Sequence, residues 1–290
     1  MKVDLNALKA VIKLSYTDSN ISMLLRKPVL LLIYNETEED SCSPEKSYRQ
    51  SIAKMAELYG IHLYNFIVKK SNWEDLDFLL EGCDGFVVIS KLDEIYDNII
   101  RSHCSQYPKK DIDCYLQETK NKWKISSNKR YYPCTALATY AAIKFCDATI
   151  NNEWDTSQIA IISRSESIGK PLAKLLLNDD RSVSIFHSKA KIDVDMLYNY
   201  SYVICAAGAK DWYTGNLENV LDYLEDAPLF INIGMHEEDG NVKGDMPEDV
   251  LKEHPYLHYI PVFNGIGPVT TAILLAKTAQ NAVDSLCVQF

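Results

Sequence analysis

The sequence predicts an α/β protein of two domains, each built around a parallel β-sheet. The chain has 290 residues, and domains of about 150 residues are common, so two are expected. Continuous apolar runs alternate with amphipathic stretches along the chain. Apolar strands that are each followed by a helix are typical of a parallel sheet covered on both faces.

The first strand–helix series covers the N-terminal part of the chain. Three apolar runs predict strands, and two stretches with helical spacing lie between them, the first of which ends at Gly60. The predicted strands are Pro28–Tyr34, His62–Val68 and Gly85–Ser90, and the predicted helices are Ser47–Tyr59 and Trp73–Leu80.

A second series follows a polar loop at residues 126–130 and a long predicted helix, Ala136–Ile150. Its predicted strands are Gln158–Ile162, Ser182–Phe186, Tyr202–Ala206, Leu229–Ile233 and Leu257–Ile260, and its predicted helices are Ile168–Leu177 and Leu217–Leu224. A last helix, Thr270–Leu286, is expected to pack back on the first domain. We therefore predict one domain from residues 1–134 and 268–290 and another from residues 135–267.

Composition excludes several classes of function. Acidic residues number 40 against 30 basic ones, for a net charge of -10, and no basic cluster suggests nucleic acid or an anionic membrane as a partner. Neither a membrane span nor a signal peptide is predicted. The 8 cysteines include no C-x-x-C pair, which indicates reduced thiols in the cytoplasm rather than disulfides or a metal site.

The segment Ile161–Pro171 lies between a predicted strand and a predicted helix, where a Rossmann unit binds a pyrophosphate. The N-terminus of a helix offers N–H groups and a partial positive charge to an anion. The G-x-G-x-x-G pattern is absent and only Gly169 remains, so an ordinary strand–loop–helix connection is the alternative.

The end of the next strand bears on the choice of cofactor. NAD sites usually carry a carboxylate there, whereas this chain has Phe186, His187, Ser188 and Lys189. With Arg164 in the preceding loop, these residues favour NADP over NAD. The alternative is that Arg164 and Lys189 are solvated surface charges.

Five motifs, in order along the chain, resemble the methylenetetrahydrofolate dehydrogenase/cyclohydrolase (FolD) family. They are Lys110–Cys114 (K-D-I-D-C), Pro133–Thr135 (P-C-T), Arg164–Pro171 followed by His187–Ser188, Gly244–Asp245, and Pro261–Thr270 (P-V-F-N-G-I-G-P-V-T). The resemblance implies an N-terminal folate-binding domain, a Rossmann-like NAD(P)-binding domain and a homodimer. It also implies oxidation of 5,10-methylenetetrahydrofolate with NADP, often followed by hydrolysis of the methenyl product to 10-formyltetrahydrofolate.

The resemblance also assigns residues to the two ligands. Tyr48 corresponds to a tyrosine that stacks on the aminobenzoyl group, and Asp113 to a carboxylate that pairs with the pterin ring. The implied substrate residues are Tyr48, Asp113, Pro261, Gly265, Gly267 and Pro268. The implied cofactor residues are Ser163, Arg164, Ser165, Ile168, Gly169, His187, Ser188, Ala207, Gly208, Gly234 and Thr270. No metal is expected.

Two positions of the family's catalytic group have changed. Ile52 stands where the family has lysine, and Ile89 stands where it has glutamine. Hydride transfer depends mainly on placement and on the cofactor, whereas hydrolysis needs positioned acid–base groups, which contribute about 10²–10⁴-fold. We therefore expect the dehydrogenase to survive and the cyclohydrolase to be lost or weak.

Other departures leave alternatives open. Cys114 and Ser163 replace family glycines, Asn232 replaces an aspartate, and Phe263–Asn264 replaces Pro-Gly. A bifunctional enzyme could activate water through Lys54 or Lys91, although Lys54 is turned about 200° from Ile52 on a helix. Another alternative, besides the dehydrogenase and the bifunctional enzyme, is a folate- or NADP-binding paralogue with little catalysis.

Overall fold

A computed structural model describes residues 1–17, 24, 26–35, 44–89, 92–150, 158–187, 189–223, 228–238 and 241–287. The chain divides into two compact units. The three-stranded unit comprises Lys9–Cys134 and Thr270–Phe290, and the five-stranded unit comprises Met1–Leu8 and Thr135–Val269. The names refer to the main sheet of each unit.

In chain order, the helices and strands are α1 (Asn6–Thr17), β1 (Val29–Tyr34), α2 (Pro44–Tyr59), β2 (His62–Ile67), α3 (Trp73–Gly82), β3 (Gly85–Val88), α4 (Glu94–Cys104), α5 (Gln117–Ile125), α6 (Cys134–Thr149), β4 (Gln158–Ile162), α7 (Gly169–Leu177), β5 (Ser182–Phe186), β6 (Ile192–Asp193), β7 (Tyr202–Cys205), β8 (Tyr213–Thr214), α8 (Leu217–Tyr223), β9 (Leu229–Asn232), β10 (Met235–Glu238), β11 (Asn241–Gly244), α9 (Glu248–Glu253), β12 (Tyr259–Ile260) and α10 (Ile266–Cys287).

The sheet of the three-stranded unit is parallel, with strand order β2-β1-β3. All six residues of β1 are buried, because alternate side chains enter hydrophobic clusters on opposite faces of the sheet. Leu30 and Leu32 pack with residues of α2 and α10, whereas Leu31 and Ile33 pack with residues of α3 and α4. Burial on both faces explains why β1 is apolar at every position.

The main sheet of the five-stranded unit is also parallel, with strand order β12-β9-β7-β4-β5. Strand β4 is followed along the chain by β5 on one side of it and then by β7 on its other side, so the direction of winding reverses between β4 and β7. The carboxyl edge of the sheet at such a reversal is where open α/β sheets bind their ligands. These two sheets confirm the predicted α/β class.

Several elements differ from the sequence-based prediction. Helices α1, α4, α5 and α9 were not predicted, nor was the antiparallel pair β10–β11. Helix α9 and strands β10 and β11 are short, and α5 is mostly polar, so the apolar periodicity of these segments is weak. The segments of α1 and α4 do carry apolar residues at helical spacing, and the prediction missed them. Helix α10 begins at Ile266 rather than Thr270, because Pro268 is tolerated in a first helical turn.

The N-terminal residues also differ from the predicted domain boundary. Residues 1–8 belong to the five-stranded unit, where the N–H of Val3 donates to the carbonyl of Tyr259 at 2.8 Å and the N–H of Tyr259 donates to the carbonyl of Met1 at 3.1 Å. This pairing satisfies main-chain groups of the edge strand β12. None of the described helices is long and apolar enough to cross a membrane.

Candidate functional site

Most of the predicted cofactor residues lie at the carboxyl edge of the five-stranded sheet. Ile162, at the end of β4, pairs with Phe186 and with Cys205, which in turn pairs with Asn232. The residues that follow these four strand ends therefore share one edge. They are Ser163 and Arg164, His187, Ala207 and Gly208, and Gly234.

The loop before α7 is built by its serines. Ser165 Oγ accepts hydrogen bonds from the N–H groups of Ile168 at 3.1 Å and Gly169 at 3.3 Å, so it caps the start of the helix. The hydroxyl of the buried Ser163 donates to Ser165 Oγ at 3.1 Å. A Cβ atom at Gly169 would overlap the carbonyl oxygen of Ser163. The loop therefore keeps a tight strand-to-helix turn around its one glycine.

A buried carboxylate fixes the loop after β7. Asp245 accepts hydrogen bonds from the N–H groups of Ala207, Gly208 and Ala209 at 2.6, 2.9 and 3.0 Å. Gly208 has a φ of +68°, and a Cβ at Gly234 would overlap the Asp245 carboxylate. Burial raises the pKa of Asp245, against the lowering effect of the three N–H groups. The sequence motif Gly244–Asp245 includes this residue, but the predicted cofactor residues do not, and only the structure shows its contacts with the loop.

The residues at this edge fit a phosphorylated dinucleotide. Arg164 is exposed, and His187 is half-buried with Nδ1 accepting the N–H of Lys189 at 3.2 Å. Ser188 lies outside the described residues. Neither His187 nor Lys189 is acidic, so these two residues supply no carboxylate at the end of β5. Together with the small residues at the ends of β4, β7 and β9, these groups suit the pyrophosphate of a dinucleotide.

Two of the predicted folate residues, Tyr48 and Asp113, lie in the three-stranded unit, as do Ile52 and Ile89. Tyr48, Ile52 and Ile89 belong to one hydrophobic cluster, which also contains Ile112 and Cys134. Ile52 is fully buried, and Ile89 directly follows β3. The two positions at which the family resemblance implies polar side chains are therefore part of a hydrophobic cluster.

Asp113 connects this cluster to the start of α6. Its Oδ1 atom accepts the N–H of Cys134 at 2.7 Å, and burial is the main reason that its pKa is raised. The pKa of Tyr48 is raised well above its usual value, first by burial and then by the negative charge of Asp113. Tyr48 and Asp113 thus interact, and the Tyr48 hydroxyl keeps its proton at neutral pH.

Two departures from the family motifs keep the backbone shape of glycine. Cys114 has a φ of 61° and Asn264 a φ of 60°, both in the left-handed region that favours glycine. The Cys114 side chain is buried and its thiol donates to the carbonyl of Tyr131 at 3.0 Å. The motif substitutions have therefore changed side chains without changing these turns.

The remaining predicted residues lie around the start of α10. Pro261 and Gly265 are buried in a tight turn, since a Cβ at Gly265 would overlap the carbonyl oxygen of Pro261. Gly267 is exposed and Pro268 is half-buried, and both belong to the five-stranded unit, whereas the buried Thr270 belongs to the three-stranded unit.

No other cofactor chemistry stands out in the described part of the chain. It contains no group of three or more His, Cys, Asp or Glu residues that could hold a metal ion. Six of its cysteines are free and buried, and burial raises the pKa of these thiols. Their thiolates are therefore scarce at neutral pH.

Comparison with known proteins gives consistent matches along the chain. Residues 133–286 match the family described as tetrahydrofolate dehydrogenase/cyclohydrolase, NAD(P)-binding domain. "Bifunctional protein FolD" of Rickettsia massiliae (strain Mtu5) is 31% identical over 224 residues, which cover 77% of this chain and 72% of that protein. The protein of the same name from Thermosipho africanus (strain TCF52B) is 27% identical over 293 residues, covering 97% and 98%.

Solved structures share the fold. The Trypanosoma brucei N5,N10-methylenetetrahydrofolate dehydrogenase-cyclohydrolase (FolD), complexed with NADP cofactor and inhibitor, has a TM-score of 0.72 at 23% identity and covers 99% of this chain and 98% of its own. The NAD-dependent 5,10-methylenetetrahydrofolate dehydrogenase from Saccharomyces cerevisiae has a TM-score of 0.68 at 17% identity, covering 100% and 99%.

Proposed function

This chain belongs to the tetrahydrofolate dehydrogenase/cyclohydrolase family, and from that premise we propose that it is an NADP-dependent 5,10-methylenetetrahydrofolate dehydrogenase with little or no cyclohydrolase activity. The observation that carries this proposal is the fully buried Ile52, which shares a hydrophobic cluster with Ile89. Both residues occupy positions where the family resemblance implies polar catalytic side chains.

Tyr48 and Asp113 are the residues that we propose for holding the folate. The Tyr48 ring can stack on the aminobenzoyl group. A carboxylate accepts several hydrogen bonds, so the contact of Asp113 with the N–H of Cys134 leaves it able to accept from the pterin ring. Both side chains belong to the same unit as Ile52. Binding and orientation of the substrate are thus retained in the proposed enzyme.

The two reactions of the family make different demands on these residues. In the dehydrogenase reaction, a C–H bond of the methylene carbon breaks, its electron pair leaves as hydride, and the folate nitrogens stabilise the resulting cation. When bound, the oxidised nicotinamide ring takes up that hydride. Beyond the cofactor, this step depends mainly on placement of the substrate, whereas hydrolysis needs a group that takes a proton from water. The aliphatic chains of Ile52 and Ile89 provide no such group.

The proposal of NADP rests on Arg164 and on the strand end at His187. Arg164 is exposed at the edge shared by β4 and β5, and a guanidinium binds phosphate oxygens in bidentate fashion. We expect Arg164→Ala to raise KM for NADP about tenfold or more, with a much smaller change for NAD. Equal losses for both cofactors would contradict the proposed contact with the 2′-phosphate.

Separate assays of the two activities test the central proposal. We expect methylenetetrahydrofolate and NADP to give methenyltetrahydrofolate that accumulates, and added methenyltetrahydrofolate to decay no faster than without protein. Replacing Ile52 by Lys and Ile89 by Gln together should raise its hydrolysis by about 10²-fold or more. The variant Ile52→Met with Ile89→Leu is the apolar control. Rapid hydrolysis by the unaltered protein would overturn the proposal.

A bifunctional enzyme is the second candidate, because the curated relatives are named bifunctional. It would need another group to activate water. Lys54 is exposed, in contrast to the fully buried Ile52 on the same helix, and Lys91 lies outside the described residues. Removal of each lysine would identify such a group if the unaltered protein proves to hydrolyse methenyltetrahydrofolate.

A further inference from the structure

Lys277 is a buried lysine in the middle of α10. It is 7% exposed, and its neighbours along the helix are almost all small or apolar. Burial of an ammonium group is costly unless its N–H groups find acceptors. A lysine at such a position therefore requires an explanation from its contacts.

The ammonium group of Lys277 binds two main-chain carbonyl oxygens. Nζ donates to Ile112 at 2.9 Å and to Tyr132 at 2.6 Å. Within the described part of the chain, no carboxylate oxygen lies within 4.0 Å of Nζ. Both hydrogen-bond partners of the Lys277 ammonium group are thus neutral carbonyl groups. No direct ion pair within the described part of the chain neutralises its charge.

The two carbonyls belong to the segments that meet at Asp113. Ile112 precedes Asp113, and Tyr132 lies two residues before Cys134, whose N–H donates to Asp113. The Cys134 thiol also contacts the carbonyl of Ile112 at 3.4 Å. Lys277 therefore clamps both segments on either side of the contact that orients the Asp113 carboxylate.

We propose that Lys277 is the positioning residue for Asp113, clamping the two segments that hold this carboxylate and supplying the positive charge that keeps it ionised for pterin binding. This inference rests on the proposed function, in which Asp113 binds the folate. Lys277 itself touches neither substrate nor reacting atoms in this proposal. It acts on folate affinity through Asp113.

The groups around Asp113 support this electrostatic role. They are Lys277 from α10, Tyr48 from α2, Cys134 from α6, and Asp111 and Cys114 from the segment of Asp113 itself. Among them Lys277 alone carries a positive charge. It lowers the pKa of Asp113 against the raising effects of burial and of Asp111. Without it, the carboxylate would take up a proton at higher pH.

The test compares Lys277→Met with a matched variant on the same helix. Asn281 is also buried, and its Nδ2 atom donates to the carbonyls of Asp84 at 2.9 Å and Lys109 at 3.0 Å. Asn281→Leu therefore removes a similar clamp in the same unit, together with the hydrogen bond that Asn281 Oδ1 accepts from Arg130, without removing a charge. Lys277→Gln removes the charge but keeps donors, which separates the two parts of the proposed role.

The first measurement is the affinity of the purified protein for a tetrahydrofolate analogue between acidic and neutral pH. We expect Lys277→Met to weaken binding at neutral pH by about tenfold, the effect of one lost charge-assisted contact. The acidic decline in affinity should move to higher pH in Lys277→Met and Lys277→Gln but stay in place in Asn281→Leu. An unchanged pH profile in both Lys277 variants would overturn the proposal, as would an equal shift in Asn281→Leu.

A carboxyl-carbon NMR titration of Asp113 provides a readout without folate. The pKa of Asp113 should rise in Lys277→Met and Lys277→Gln relative to the unaltered protein and to Asn281→Leu. If the unaltered protein fails to bind the analogue, the proposed function fails, while this titration still decides whether Lys277 controls Asp113. A pKa that stays constant in folded Lys277→Gln would refute the electrostatic role directly.

Discussion

Replacing Asp245 by Asn should loosen the loop after β7 and weaken dinucleotide binding. The carboxylate accepts three N–H groups, with Oδ2 contacting Ala207 and Gly208 and Oδ1 contacting Ala209. The amide of the Asp245→Asn variant would keep one oxygen, which can accept the N–H groups of two of these residues. Its NH₂ group would then face the N–H of the third residue, and neither of these groups can accept a hydrogen bond from the other. Hydrogen bonds to charged groups contribute about 1.5–3 kcal/mol each, and an unsatisfied buried donor costs about 1–3 kcal/mol.

The net loss should be smaller than the sum of these contributions. Burial raises the pKa of Asp245, so removing the charge also removes a desolvation cost. We therefore expect a loss of about 2 kcal/mol of unfolding free energy, or roughly 4–8 °C in Tm for a unit of this size. If the ordered loop contributes a similar free energy to dinucleotide binding, its loss would raise the Kd for NADP about tenfold or more.

Thermal unfolding and an NADP titration measure the two effects. Tyr202→Phe is the control, because the Tyr202 hydroxyl donates to Asp147 at 2.7 Å from the first residue of β7, the end opposite the Ala207 loop. It should lower Tm without changing the affinity for NADP. If Asp245→Asn lowers Tm but leaves that affinity unchanged, the loop is not part of the cofactor site and the reasoning is refuted.

Two further predictions concern backbone positions. Cys114→Gly should be more stable than Cys114→Ala by about 1–2 kcal/mol in urea unfolding, because both lose the thiol contact with Tyr131 but only glycine is unstrained at a φ of 61°; the usual preference for alanine would contradict this account. Gly169→Ala should cost about 1–3 kcal/mol, since its Cβ would overlap the Ser163 carbonyl. A Cβ at Gly267 in α10 would meet open space, so Gly267→Ala should be neutral or stabilising by about 1 kcal/mol. Equal losses of unfolding free energy in Gly169→Ala and Gly267→Ala would be inconsistent with this explanation.

The predictability of the fold depended on burial. Strands such as β1 and β4 are apolar because helices cover both faces of their sheets, and β4 and β5 have the predicted bounds. Strands β10 and β11 are short and carry many polar residues, so their apolar periodicity is weak and the sequence pattern does not reveal them. Helix α4, by contrast, has Tyr96, Ile100 and Cys104 at helical spacing, so its sequence pattern was sufficient to predict it.

The candidate site was predictable where it follows strand ends. The order of the chain places Arg164, His187 and Gly208 after successive parallel strands, which is sufficient to bring them to one edge. The substitutions at Cys114 and Asn264 were harder to interpret. The sequence shows only that glycine is replaced, whereas the structure shows that the left-handed backbone is kept at both positions.

The sequence by itself determined the α/β class, the family resemblance and the two aliphatic replacements, Ile52 and Ile89, because these depend on local composition and motif order. Only the tertiary structure identified Asp245 and Lys277 as the side chains that hold the loops of the candidate sites. Asp245 acts on residues up to 38 positions away, and Lys277 acts on a carbonyl 165 positions away. A buried charge is stabilised by main-chain groups that converge on it in space, and no periodic pattern in the sequence records that convergence.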